Sequence, residues 1–355
     1  MPRLSSPRNT AMVSAVCTLM LVCCLCSCGC ELAGNPSDSD GLTIVTYNVQ
    51  NLFDTLVSGS EYPEYTPEQG WSAQAYARRL EQTGRAITQG HGGVPDILAL
   101  QEIEHVGVLE DLLEGPLKSR GYQWYAVTAD SGSAIQTAVA SRFPIVEARV
   151  HRGASTRSAL EVKIDVGSER IVLFALHAKS RREGVEETEP LRIDLANLIN
   201  DRVKELMKEN PLLPVVIAGD FNESADAYFR EDEVFQTALV PVQAADSQSY
   251  KRLGSFIVGG STPTEGGWYT WWLDSSQTLM NTVEGSYWYG GVWESFDQIL
   301  LSPAFFDSYG LEFSRGYVGT NSQLLDDDGH PDRWNVQKKC GISDHLPVAV
   351  TLAGR

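Results

Sequence analysis

The chain has 355 residues, 43% of them hydrophobic, and a net charge of −18. That length suits one large α/β domain, and the acidity excludes nucleic-acid binding through bulk electrostatics, so any phosphate backbone must meet a local cluster of cations. A disulfide framework is excluded too: Cys17, Cys23, Cys24, Cys26, Cys28 and Cys30 all lie in the first thirty residues, and only Cys340 lies beyond them.

The N-terminus comes first. Arg3 and Arg8 precede a nearly continuous apolar run at residues 11–26. A membrane span needs about 20 residues, so this run suits the hydrophobic region of an export signal better. It ends in "LCSCGC", and small residues before a cysteine resemble a bacterial lipoprotein signal. The resemblance implies cleavage and acylation at Cys28 (or Cys30), with Leu25 and Ser27 favouring Cys28; a plain secretory signal is the alternative. Residues 1–30 are thus a signal segment, 31–41 a polar tether, and 42–355 a single domain with no repeat or second linker. The expected setting is the bacterial cell envelope, outside the cytoplasm. There a monomer is held to the membrane by its N-terminal lipid anchor, or is secreted.

Strand-like runs then follow at 42–47, 96–100, 122–127, 134–141, 159–166, 170–176, 214–219, 298–301 and 346–352. "ILAL", "IVLFAL" and "PVVIAG" are apolar throughout, which predicts strands buried on both faces. Residues 71–89 place Tyr76, Leu80 and Ile87 on one helical stripe. Residues 189–208 do so with Leu191, Leu195, Leu198 and Leu206, with Thr188 as cap and Pro190 in the first turn. The predicted class is α/β, with two sheets face to face and helices outside. Cys340 is expected to be a small buried side chain.

Polar residues gather at the ends of these strands. Asn48 follows the first, Glu102 the second, His177 "IVLFAL", and Asp220 and Asn222 "PVVIAG"; Asp297 precedes "QILL", and Asp344 and His345 precede "LPVAV". In a mixed sheet all of them can share one edge. Oxygen ligands without cysteine suit a hard cation such as Mg²⁺ (or Mn²⁺). A further carboxylate can take a proton from water, and a histidine can protonate or stabilise a leaving oxygen. The set fits hydrolysis of a phosphate ester.

"TYNVQNLFDT", "PDILALQEIE", "FALHAKSRREG", "VIAGDFNES", "YGGVWESFDQILLSP" and "GISDHLPVAV" resemble, in order, the motifs of the endonuclease/exonuclease/phosphatase superfamily, the fold of DNase I and neutral sphingomyelinases. The resemblance spans about residues 42 to 352 and looks most like bacterial secreted nuclease-like members. It implies a four-layer αββα sandwich of two mixed β-sheets with the active site between them. It further implies metal ligation by Glu102 with Asn48 and Asp344, water activation by Asp220, and a phosphate oxygen held by Asn222. Asp297 would orient His345 on the scissile phosphate, and His177 would be the second histidine; which histidine is the acid stays open, as does the number of metals. Gln50 stands where abasic-site endonucleases carry an acid, and "LHAKS" also departs from that branch.

Lys179, Arg181 and Arg182 follow His177 and are candidates for binding substrate phosphates; Arg78, Arg79, Arg85 and Arg157 are weaker ones. Trp268, Trp271, Trp272, Trp288 and Trp293 are either packing residues or a platform for bases or lipid. Residues 324–334, "LLDDDGHPDRW", resemble a calcium loop but lack its ligand spacing, so an exposed acidic loop is expected. Three functions are carried forward. The first is a Mg²⁺-dependent phosphodiesterase cleaving nucleic acid. The second is a phospholipid or sphingomyelin diesterase, or a phosphomonoesterase. The third is a non-catalytic binding lipoprotein, disfavoured by an apparently complete catalytic set.

Overall fold

The structure is a computed structural model that describes residues 41–90, 93–154 and 156–354. The signal segment, Cys28, Cys30 and nearly all of the tether lie outside the described residues. Among the described residues sixteen strands follow in order: β1 (Leu42–Leu52), β2 (Ile97–Ile103), β3 (Trp124–Val127), β4 (Gln136–Ser141), β5 (Ile145–His151), β6 (Ala159–Val166), β7 (Glu169–His177), β8 (Val215–Asp220), β9 (Leu239–Pro241), β10 (Phe256–Gly259), β11 (Trp268–Tyr269), β12 (Tyr287–Tyr289), β13 (Val292–Glu294), β14 (Asp297–Leu301), β15 (Leu311–Val318) and β16 (Val348–Gly354). Three long helices join them: α1 (Ala73–Gln89), α2 (Val106–Glu114) and α3 (Val185–Glu209).

The strands form two mixed sheets and a hairpin. The first sheet has the order β15-β16-β1-β2-β4-β3, the second β5-β6-β7-β8-β14-β11-β10-β9, and β12-β13 pair alone. One apolar core joins Ile44, Leu98 and Val139 of the first sheet to Val162, Leu173 and Ile299 of the second, and runs on to Leu80 and Ile87 of α1 and Leu109 of α2. A second core packs Leu195, Ile199 and Val203 of α3 against Phe174 and Ile217. Each sheet thus hides one face in the other and one under helices, which is the αββα sandwich. Among the described residues no helix is long and apolar enough to cross a membrane.

Several expectations need correction. β1 runs on to Leu52, and β16 begins at Val348 rather than at residue 346, because Pro347 has no N–H for the ladder. α3 begins at Val185, so Thr188 lies inside it, donating from Oγ1 to the Gly184 carbonyl oxygen (2.6 Å), and Pro190 lies beyond the first turn. Cys340 is exposed. β5 and β15 were unforeseen because a register shift breaks the alternation in each, between Ile145 and Glu147 and between Phe313 and Arg315, and β9, β10 and β11 are too short to show a period.

Two buried arginines brace the end of β1 and the segment after β7. Arg79 of α1 is fully buried, donates to the carbonyl oxygens of Val49 and Gln50, and lies 4.9 Å over the Trp334 ring. Arg192 of α3 donates to Glu189 Oε2 (2.5 Å) and to the carbonyl oxygens of Lys179 (3.0 Å) and Val185 (2.8 Å), holding the segment after β7.

Replacing Arg79 with Met should cost about 3 kcal/mol of unfolding free energy in urea titration, since two buried carbonyls lose their donor. A pH test concerns Glu161, buried on β6. Burial works against its charge, but hydrogen bonds from His151 (2.5 Å) and Arg202 (2.9 Å) prevail and hold its carboxyl at about 2. Its stabilisation is therefore present above the ordinary carboxylate range and lost as pH falls through about 2. Glu161→Gln should lower stability at pH 6 by roughly 2 kcal/mol, with the deficit vanishing towards pH 2; a deficit independent of pH would contradict this.

Candidate active site

Three polar side chains sit abreast on adjacent strands. His177 closes β7, Asp220 closes β8 and Asp297 opens β14, and the register pairs His177 with Asp220 and Asp220 with Asp297. β7 and β8 are parallel and β14 is antiparallel to β8, so two strand ends and one strand start share an edge. A Cβ on Gly219 would collide with the Leu176 carbonyl oxygen, so only glycine lets β7 and β8 lie this close just before the pair.

The facing wall is built from two irregular strands. β1 is bulged between Asn48 and Leu52, and β2 between Gln101 and Ile103. Gln50 (φ 53°), Asn51 (φ 57°) and Glu102 (φ 66°) adopt left-handed backbone, which costs about 1 kcal/mol or more per residue. Hydrogen bonds offset that strain: Asn51 N–H donates to Glu102 Oε2 (2.9 Å) and Gln50 N–H to Asn48 Oδ1 (3.0 Å). The bulges aim Glu102 and Asn48 at the second sheet. Asn48 Nδ2 then donates to both Glu102 Oε1 (3.1 Å) and Asp220 Oδ2 (2.9 Å), bridging the two sheets.

Gln50 has a second task that the sequence did not disclose. Its Oε1 accepts from the N–H of Asp344 (2.9 Å) and of Trp334 (2.8 Å), and its Nε2 donates to the Trp334 carbonyl oxygen (3.2 Å). Ser343, also unforeseen, donates to the Asn48 carbonyl oxygen (2.7 Å) and accepts from the His345 N–H (3.1 Å). Asp344 and His345 are thus held by side-chain brackets, four and three residues ahead of β16.

Both histidines face one carboxylate oxygen. Asp220 Oδ2 lies 3.5 Å from His177 Nε2 and 3.8 Å from His345 Nε2. His345 Nδ1 lies 2.7 Å from Asp297 Oδ2, which also accepts from Ser286 Oγ (2.6 Å). Ser286 escaped sequence reading because nothing marks it within "EGSYW". Asn222 N–H donates to Asp220 Oδ1 (2.7 Å), leaving its side chain to donate to the Ala178 carbonyl oxygen (3.1 Å).

The electrostatics separate the two histidines. Burial, the Arg157 charge and His345 hold His177 well below the usual histidine range, so it is neutral. Burial opposes the charge on His345 as well, but the carboxylates of Asp297, Asp220 and Asp344 outweigh it and raise it to about 10. Burial, with Asp297 adding and His345 partly offsetting, lifts Asp220 to about 7. Glu102 is raised by burial and by the Asp344 charge. At neutral pH the site therefore holds an imidazolium, a neutral imidazole, and a carboxyl near its midpoint.

The Asp344 charge acts on Glu102, a repulsion that a divalent cation would relieve. The donors are oxygens only, including a lone pair left on Asn48 Oδ1, a set that fits Mg²⁺ or Mn²⁺. Among the described residues two groups of three, neither containing Glu102 or Asp344, bring possible ligand atoms within 4.8 Å: Asp54, Glu104 and His105, and Asp326, Asp328 and His330. In the first, His105 Nδ1 accepts from the Gly107 N–H to cap α2, and Glu104 Oε2 accepts from the Asp54 N–H, so the group staples the exits of β1 and β2. In the second, Asp326 Oδ1 accepts from the N–H groups of Asp328 and His330, and the His330 ring stacks on Trp288.

The cations expected beside His177 divide. Lys179 pairs with Glu183 (2.7 Å); Arg181 turns inward over the Phe296 ring (5.3 Å), with Nε and Nη2 buried; Arg182 is exposed. Arg157, ranked low from sequence, donates to the same Ala178 carbonyl as Asn222 (3.2 Å), beside His177. Arg79 is structural, Arg78 reaches only the Lys339 carbonyl (3.4 Å), and Arg85 is exposed. Trp268 and Trp271 are buried, whereas Trp272, Trp288 and Trp293 line a separate open pocket of about 610 Å³.

Residues 43–234 match the sequence profile of the Endonuclease/Exonuclease/phosphatase family. The chain belongs to that family. Among solved structures it is similar to truncated TDP2 from Caenorhabditis elegans, at 16% identity over 88% of this chain and 97% of that one, with a TM-score of 0.51. It is also similar to beta toxin 275-280 from Staphylococcus aureus, at 17% identity over 87% of this chain and 99% of that one, with a TM-score of 0.50. At such identities the likeness shows the fold alone. No curated protein matches the sequence.

Asp297→Asn should remove most of what keeps His345 charged. If His345 acts as the acid, the alkaline limb of the pH–rate profile should move from about 10 towards 6.5 in this variant. An unmoved limb would dissociate His345 from the acid role.

Proposed function

We propose that this protein is a metal-dependent phosphodiester hydrolase whose substrate is nucleic acid. One observation carries the reading: the Asp220 carboxylate lies between a neutral histidine and a protonated one, facing a paired-acid wall across the cleft. Asp220, near its midpoint at neutral pH, accepts a proton from the attacking water. His345 donates to the leaving oxygen, and Asp297 and Ser286 keep its ring in line. His177 and Asn222 offer hydrogen bonds to phosphate oxygens. A Mg²⁺ or Mn²⁺ ion held by Glu102 and Asp344, with Asn48 beside them, would supply the positive charge that phosphate oxygens need.

Nucleic acid is preferred because arginines border the cleft of an otherwise acidic chain: Arg157 beside His177, and Arg333 with Nη2 at 3.6 Å from Asp344 Oδ2. The exposed Tyr289 and Val292 at the β12-β13 turn favour the second reading, a lipid diesterase. The N-terminal leader supports an extracytoplasmic, lipid-anchored monomer as the working form.

Asp220→Ala and His345→Ala should each lower turnover of plasmid DNA by about 10³-fold while leaving circular dichroism unchanged. Either variant cleaving at near wild-type rate would remove that residue from the mechanism. Chelation by EDTA should stop cleavage, and added Mg²⁺ or Mn²⁺ should restore it; cleavage indifferent to EDTA would exclude the metal.

A further inference from the structure

The hairpin β12-β13 presents two different faces. Alternation along β12 puts Tyr287 and Tyr289 on one side and Trp288 on the other, where Trp293 (5.3 Å) and His330 (4.1 Å) cover it. The tyrosine side begins at the catalytic centre, with the Tyr287 ring 4.7 Å from the His345 ring. From there the two tyrosines run outward nearly parallel, with the buried Phe296 ring stacked on Tyr287. Phe296 and Tyr287 are 5.1 Å apart at 18°, and Tyr287 and Tyr289 are 6.3 Å apart at 15°. Tyr289, the outermost, is 69% exposed. Such a row of ring faces, starting at a reacting centre and ending in solvent, is a stacking surface.

Cations lie along the same mouth. Arg157 has one nitrogen committed to the Ala178 carbonyl, and its other N–H groups have no partner among the described residues. Arg333 stands beside Asp344 with its side chain 59% exposed. Arg182 is exposed, and its charge is felt by the phenols of both Tyr62 and Tyr287. These are a few isolated charges on a chain of net charge −18, not a track. A duplex hides its base faces and carries a phosphate charge about every 1.7 Å of axis, so it asks for a long basic stripe. A single strand offers bare base faces and needs only a few phosphate contacts.

We propose that the Tyr287–Tyr289 face and Arg157, Arg182 and Arg333 form an interface for single-stranded polynucleotide. Bases stack outward from Tyr287, and the flanking phosphates meet the arginines. This rests on the phosphodiesterase reading above and adds the strandedness of the substrate.

The test is binding of a labelled oligothymidylate, of the same length of duplex, and of phosphatidylcholine vesicles to the full chain in EDTA, where no turnover intervenes. The single strand should bind more tightly than the duplex. Tyr289→Ala should weaken it by about 10-fold, and Tyr289→Phe should restore it. Arg182→Ala should flatten the slope of log affinity against log salt by about 0.7. Thermal unfolding of each variant at the wild-type Tm checks the fold. Duplex binding as tight as single-strand binding would overturn the proposal, as would wild-type affinity in Tyr289→Ala. Vesicle binding that is lost in Tyr289→Ala, without oligonucleotide binding, would overturn it and give the hairpin to a lipid surface. Separately, failure of the wild type with Mg²⁺ to hydrolyse bis(p-nitrophenyl) phosphate would overturn the phosphodiesterase reading itself.

Discussion

The structure turns on one buried carboxylate. Asp220 is 1% exposed, and its Oδ2 accepts a hydrogen bond from Asn48 of the first sheet while facing His177 and His345 of the candidate site. A carboxylate so placed is costly unless cations and donors surround it. The sandwich supplies them from both sheets, so these polar groups also bridge the two sheets at this edge. The same burial that makes Asp220 expensive lifts it to about 7, where it can exchange a proton in neutral water.

The histidines show how position sets ionisation. Both are buried, and desolvation alone would make both neutral. Asp297 faces only His345, whereas His177 meets the positive charges of Arg157 and His345 itself. Two residues of one type therefore stand in different charge states beside one Asp220 oxygen. Family resemblance leaves the assignment of the acid open; the local charges favour His345.

Much of the candidate site was legible because strand ends are legible. Apolar runs ending in Glu102, His177 or Asp220 mark side chains that a core does not need, and the sandwich brings those ends to one edge. Other parts left no such mark. Ser286 and Ser343 are ordinary serines in loops, and their hydrogen bonds to Asp297 and to the Asn48 carbonyl cross large sequence separations. Gln50 looked like a mere departure from another branch, yet it positions Asp344 from nearly three hundred residues away. Among the cations, adjacency to His177 misled: Arg181 turns inward, while Arg157, twenty residues earlier, reaches the His177 neighbourhood across the sheet.

The sequence alone determined the class of the molecule: the strand runs, the order of the motifs, the oxygen-rich ligand set and an acidity that denies any general affinity for polyanions. These are local or additive properties, which a chain carries whatever its shape. Tertiary structure decided which histidine is charged, which arginine borders the cleft, and which face of the β12-β13 hairpin looks at His345. Each of these depends on distances between residues remote in the chain. Electrostatic interaction falls off and desolvation grows over a few ångströms, a scale that only packing sets.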